Sequence, residues 1–344
     1  MADRNYIFRV LAHASFDKMK SAIDAVHEKT GKSKILIFLD MAQCTLRYGA
    51  GYYDYQVFAF YNLTPKQRST YVTRLVSKKL NEFLNDPKHS SIFENKDEFY
   101  TTFRDYLGRG FIELEKASKE EVREFVKDRE WLFGKLKDKE CGIGCERIRV
   151  SDYPDFDALY RYFKEKGFCT IEDLIIQHPA LQKLYSNAVN SMRIITILDN
   201  WGKPHVVYIV QKMGLNGSIV DNNCLFARVD PETGKIAYPA HSGDTTKGIV
   251  YYEHPETHVP LVGYTIPYVK EAVEMCLKAS LVVPQVRYIG WDVAVTEKGP
   301  VIIEGNTFNA HDFWQLPPHT PDGIGMLPVI KKLVPDFKCH YKGK

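Results

Sequence analysis

Apolar and polar positions along the chain predict alternating helical and extended segments. Ala14–Thr30 has helical spacing, while Lys34–Asp40 (KILIFLD) is a short apolar run of strand composition. A helix is predicted from Pro65 to about Leu84, with Thr64 as its N-cap and Pro65 at the first helical position. Asn85-Asp86-Pro87 closes it and sets a boundary between an N-terminal αβ region, 1–95, and the remainder, 96–344. Trp131–Lys135 and Arg147–Val150 read as short strands around a glycine-containing loop. Phe156–Lys166 reads as a helix stopped by Gly167, and Cys169–Ile176 as an extended run. Ser191–Leu198 and His205–Lys212 are long strands joined at Asp199-Asn200-Trp201-Gly202, and Asp230–Gly234 is a further turn. A helix over Pro267–Ser280 precedes a hairpin, Arg287–Thr296 with Pro300–Asn306, around Glu297-Lys298-Gly299. Strands and helices mix without βαβ regularity, so the predicted fold is α+β with an antiparallel sheet.

Composition narrows the partners. The 344 residues are 44% hydrophobic and 13% aromatic, enough for a sizeable core. With 46 Lys+Arg against 43 Asp+Glu, the net charge of +3 leaves no basic excess for phosphate-backbone binding, so nucleic acid is not an expected partner. No apolar run reaches the roughly 18 residues of a membrane span. The opening MADRNYIFRVLAHASF is charged from its third residue, unlike a secretory signal. Seven cysteines, an odd number, read as reduced thiols in a cytoplasmic protein.

The most informative segment is GWDVAVTEKGPVIIEGN. A three-residue loop with Gly299 at positive φ sets Thr296 opposite Pro300 and Asp292 opposite Glu304, with Asn306 on the same face. Val293, Val295, Val301 and Ile303 then form the apolar face. Paired carboxylates repel unless a cation joins them, and oxygen ligands suit magnesium held partly by substrate phosphates. The alternative is a polar face that merely meets solvent. A two-residue loop would split the carboxylates between faces. In FGKLKDKECGIGCERIRV, Gly142 and Gly144 fit a phosphate-covering loop and Lys135 a fixed cation, though such glycine pairs are usually ordinary turns. Cys141 and Cys145 lack a second ligand pair for a metal. IEDLIIQHP fits either an edge strand or a main-chain reader of adenine. Arg193 and Lys212, on neighbouring strands, need an anion, from the protein or from a phosphate.

In this order, FENKDEFYTTFRDYLGR, the Lys135 strand with its glycine loop, IEDLIIQHPAL, VNSMRIIT, SIVDN and IGWDVAVTEKGPVIIEGN resemble the ATP-grasp superfamily. Within it the chain, from about Phe93 to Leu327, is most similar to the sugar-transfer-associated ATP-grasp family, related to α-L-glutamate ligases. The resemblance implies a small lid, about 110–175, closing over ATP against a larger antiparallel sheet. It implies Lys96 and Lys135 at the α- and β-phosphates, Gly142 and Gly144 in the lid loop, and Glu172, Asp173, Leu174 and Ile175 as the adenine hinge. Gln177 or His178 would lie near the ribose, Arg193 and Lys212 at the transferred phosphate, and Asp292, Glu304 and Asn306 on Mg2+. The chain departs from the family where NCLFARV follows Asp221-Asn222 in place of a glycine pair, and where Lys212 replaces an expected Arg. TFNAHDFWQLPPHTPDG is expected to border the acceptor, with His311 and Asp312 near the amine, or else to be an ordered surface loop. Asp40, Tyr55 and Arg68 are candidates for a substrate-side wall or for structural roles.

The chemistry implied by the resemblance is carboxylate activation by ATP through an acyl phosphate, then amide formation with an amine. The substrates would be a uronic acid, amino acid or related small carboxylate in polysaccharide or metabolite biosynthesis. Rival expectations are a kinase acting on a sugar or alcohol, and a non-catalytic nucleotide-binding subunit.

Overall fold

Helix Lys34–Tyr48 contains the run read as a strand. Its apolar residues go all the way round: Ile37, Met41 and Cys44 are buried, while Ile35, Leu36 and Leu39 are exposed. A helix apolar on every side hides its period. In the computed structural model, which describes residues 16–136, 144–218 and 224–339, the chain is helical up to Leu107. The first helix, Phe16–Thr30, follows the expected spacing, but Ala14 lies outside the described residues. The helix expected over 65–84 is two, Pro65–Arg68 and Arg74–Leu84. Thr64 caps the first, accepting from the Gln67 N–H at 3.3 Å. Between the two, the Gln315 amide takes both the N–H and the C=O of Val72, at 2.8 and 3.0 Å, a tertiary contact that outweighs continued helix.

Two antiparallel sheets follow. The smaller comprises β1 (Phe111–Glu113), β2 (Trp131–Leu136), β3 (Cys145–Arg149) and β4 (Phe168–Asp173), in the order β1-β4-β2-β3. Helices Lys119–Val126 and Phe156–Lys166 pack on it through Val122, Val126, Leu159 and Phe163. The second of these ends at Gly167, whose φ of 75° is left-handed, as its position after the apolar run predicts. The larger sheet comprises β5 (Met192–Leu198), β6 (Pro204–Gly214), β7 (Cys224–Arg228), β8 (Ala240–Ser242), β9 (Val250–Tyr251), β10 (Tyr288–Thr296) and β11 (Gly299–Asn306), in the order β11-β10-β5-β6-β7-β8-β9.

Both faces of the large sheet are covered, so its central strands are buried almost continuously. One face sends Ile194, Ile209, Leu225, Trp291, Val293 and Ile302 against helix Val269–Ala279 and the aromatic side chains of Phe93–Phe103. The other sends Ile195, Ile197, Tyr208, Val210, Phe226 and Tyr288 against the N-terminal helices and the segment around Trp314. Arg193, Lys212 and Asp292 alternate with the first set and so open on this second face. Asp40, Tyr55 and Arg68 join three of the N-terminal helical segments. The Arg68 guanidinium donates to both oxygens of Asp40 at 2.6 and 2.8 Å, and the Tyr55 hydroxyl donates to one of them at 2.8 Å. That is a structural use. No helix among the described residues is long and apolar enough to cross a membrane.

Candidate active site

The β10–β11 hairpin reaches the expected pairing by a different route. Its turn has two residues, Glu297 and Lys298, with Thr296 opposite Gly299. This places Ile302, rather than Ile303, on the core face with Val293 and Val295. A bulge then inserts Ile303: Val293 pairs with Ile302, but Asp292 pairs with Glu304. The extra residue undoes the slip that the short turn causes, and the two carboxylates stand opposite each other.

Around them the sheet supplies cations. Arg193, directly opposite Asp292 across β5, binds both its oxygens with Nε and Nη2, the latter at 2.8 Å. Lys212 Nζ lies 3.5 Å from Oδ2. Burial opposes the charge on Asp292, yet Arg193 and then Lys212 overcome it and hold the carboxyl far below its usual range. Glu304 moves the other way, raised first by loss of solvent and then by the charge of Asp292. Its side chain keeps an exposed surface. Asn306 Nδ2 donates to Glu304 Oε1 at 3.3 Å. No cluster of three His, Cys, Asp or Glu side chains suited to a metal is found among the described residues. The available donors are instead two carboxylates and one amide. Such a set fits a hard, oxygen-seeking divalent ion that shares its shell with phosphates, and that ion would relieve the repulsion raising Glu304.

The small sheet supplies a second buried group. Lys135 Nζ lies 2.7 Å from Glu172 Oε1 and donates to the Tyr100 hydroxyl at 2.7 Å. Arg109 Nε donates to Glu172 Oε2 at 3.0 Å, and Tyr100 donates to the same oxygen at 2.8 Å. Burial works against the Glu172 charge, but Lys135 and Arg109 bring its pKa down to about 2. Lys96 starts helix Lys96–Thr102, whose N-terminal N–H groups are capped by Asn95, and its ammonium donates to the Leu136 carbonyl at 2.8 Å. Cys145, on β3, feels charges from both groups. Burial raises its thiol, Lys135 and Lys96 pull it back, and Glu172 and Glu304 push it up, so charges from both sheets converge there.

Several expected roles change with these contacts. Glu172 is paired on both sides by β1 and β2, and its side chain is committed to Lys135 and Arg109. Asp173 also lies in the ladder, and its carboxylate accepts from the Gly110 N–H at 2.7 Å and from Arg129. Leu174 and Ile175 alone of the four run beyond the last paired residue. The Gln177 amide is consumed by the Tyr185 and Ala188 carbonyls and by Asn190. His178 caps helix Pro179–Leu184 through Nδ1, 3.1 Å from the Ala180 N–H. Gly144, at φ 78°, closes the β2–β3 connection. Gly142, Cys141 and Asp221-Asn222 lie outside the described residues.

His311 and Asp312 are held by helix Tyr52–Val57 and not by the Asp292 group. His311 Nε2 bonds Asp54 Oδ1 at 2.6 Å. Burial opposes its charge, but the hydrogen bond and charge of Asp54 raise its pKa. Asp312 accepts from the Tyr53 hydroxyl, which also bonds Thr245 Oγ1 at 2.7 Å. Two contributors, Tyr100 and Arg109, were not singled out from the sequence. The one signal for Arg109 is its place between two glycines in LGRG.

A large antiparallel sheet carrying opposed carboxylates and cations, facing a small sheet with a buried lysine, defines a protein of the ATP-grasp class. The family described as "Sugar-transfer associated ATP-grasp" matches residues 148–331, more than half the chain, and the chain belongs to that family. No curated protein matches it. Among solved structures, it is similar to the ATP-grasp ligase PsnB complexed with a phosphomimetic variant of minimal precursor, Mg and ADP. That likeness has 14% identity over 78% of this chain and 68% of that one, at TM-score 0.42. D-alanyl-alanine synthetase A from Vibrio cholerae gives 14% identity over 72% and 62%, at TM-score 0.40. N5-carboxyaminoimidazole synthase from Aspergillus clavatus, in complex with ADP and an aminoimidazole ribonucleotide, gives 12% over 69% and 51%, at 0.41.

Proposed function

We propose that the protein is an ATP-dependent carboxylate–amine ligase that forms an amide through an acyl phosphate, acting on a uronic acid, amino acid or similar small carboxylate. The observation that carries this reading is the opposed pair Asp292–Glu304, flanked by Arg193 and Lys212, on the large sheet of an ATP-grasp family member. Phosphoryl transfer asks little covalent help of a protein and much positioning and charge neutralisation, and this cluster offers those two. Asp292, Glu304 and Asn306 would hold magnesium, which when bound neutralises phosphate charge and aligns the transferred group. Lys135 and Lys96 would hold the upstream phosphates. Arg193 and Lys212 would steady the transferred phosphoryl, Arg193 giving up one hydrogen bond to Asp292 as it does so. Leu174 and Ile175, past the ladder, would present main-chain groups to the base.

The test is ADP release from Mg-ATP across a panel of small carboxylates, with and without amines, with the products identified. Amide formation requiring both partners is the expected result. A stable phosphoester formed without an amine would make the protein a kinase, and intact ATP binding with no turnover across the panel would overturn the ligase reading.

A further inference from the structure

We propose that Arg109 is a positioning residue for the magnesium carboxylates. It clamps the bulge that sets Glu304 beside Asp292 and ties that bulge, through Glu172, to Lys135. The inference deepens the ATP-dependent reading above and rests on it.

β11 is an edge strand, so one row of its carbonyls has no partner strand. The bulge worsens the shortage, because an inserted residue is left out of the ladder. Arg109 answers both. Its side chain is only 4% exposed. From there Nη1 donates to the Ile302 carbonyl at 2.8 Å, and Nη2 to the Ile303 carbonyl at 3.4 Å, the two residues on the bulged side. Nη1 also reaches the Leu107 carbonyl at 3.1 Å, and Nε reaches Glu172 at 3.0 Å. A planar guanidinium can serve two successive carbonyls and a carboxylate together, whereas a lysine ammonium is a single point donor. The preceding residue makes the reach possible. Gly108 has φ 57°, and a Cβ there would stand 2.3 Å from the Val301 side chain, so only glycine lets this turn lie against β11.

Without the clamp, the favoured change in β11 is loss of the bulge, and a one-residue slip moves Glu304 to the opposite face from Asp292. Arg109 touches neither carboxylate, so its effect should appear in metal affinity before nucleotide affinity. Groups that orient metal ligands typically change affinity by about 10–100-fold.

Calorimetry on the full chain tests this. MgCl2 is titrated into wild type and Arg109→Lys at saturating ADP, and ADP is titrated into both in EDTA. The expected result is a magnesium affinity weaker by about tenfold or more in the variant, with ADP affinity in EDTA within about twofold of wild type. Unchanged magnesium affinity, or an equal loss in both titrations, overturns the proposal. Should Arg109→Lys fail to fold, a crystal structure of wild type with magnesium and ADP decides. Arg109 on the Ile302 and Ile303 carbonyls, with both carboxylates on the metal, supports the proposal. Both carboxylates on the metal with Arg109 away from the bulge overturns it. Wild type that takes up neither ADP nor magnesium overturns the ATP-dependent reading itself, and this inference with it.

Discussion

Asp292 owes its charge to two neighbours on adjacent strands, and removing that charge strands both. Asp292→Asn would leave Arg193 and Lys212 buried against a neutral amide. The expected loss is about 3–5 kcal/mol, the usual range when one partner of a buried ion pair is deleted, read by urea denaturation at neutral pH. ATP turnover should vanish in the same variant. His319 gives a different pH signature. Its Nδ1 bonds the Phe313 carbonyl at 2.8 Å, and burial lowers its pKa from 6.5 to about 4. Between those values the unfolded chain binds a proton that the folded one refuses. Its contribution is therefore whole above pH 6.5 and lost as pH falls toward 4, by about 3 kcal/mol in all. Denaturation at pH 7.5 and 4.5 should show a smaller pH difference for His319→Gln than for wild type. At this scale much was legible: Asp292, Glu304, Asn306, Arg193 and Lys212 do come together, although Glu304 reaches Asp292 through a bulge rather than through the expected three-residue loop. The buried pairings of His311 with Asp54 and of Glu172 with Arg109 were not, because each partner lies far off in the chain.

Elements obeyed their local signals where those were unambiguous. Thr64-Pro65, Gly167 and the Asp230–Gly234 turn behave as their residue types require. Two errors have physical causes. KILIFLD is apolar on all sides of its helix, so no period distinguishes it from a strand. In the hairpin, Val301, Ile302 and Ile303 are all apolar, so either register buries a suitable side chain, and alternation alone cannot reveal the bulge. Deleting Ile303 should therefore leave a regular hairpin with Glu304 still opposite Asp292, because it removes the residue that the bulge sets outside the ladder. The expected outcome is that ADP with magnesium still raises the melting temperature above the value with ADP alone, measured by thermal shift.

For the molecule as a whole, the proposed nucleotide site draws on one group from each sheet, so a bound nucleotide should fasten the two together. At about 100-fold excess over its dissociation constant, Mg-ADP would add about 2.7 kcal/mol to stability. Lys135→Met should remove most of that gain, although it also leaves Glu172 with one cation fewer, so its melting temperature is compared with and without ligand. The four principal charges of the large-sheet cluster have a consequence of their own. Arg193 and Lys212 offset Asp292 and Glu304, leaving this cluster close to electrical balance. Such a cluster draws a naked divalent cation less strongly than one already paired with phosphate. The two species bring opposite charge and restore the balance only when they arrive as a pair. Each should thus sharpen the protein's grip on the other, by the same factor in either direction.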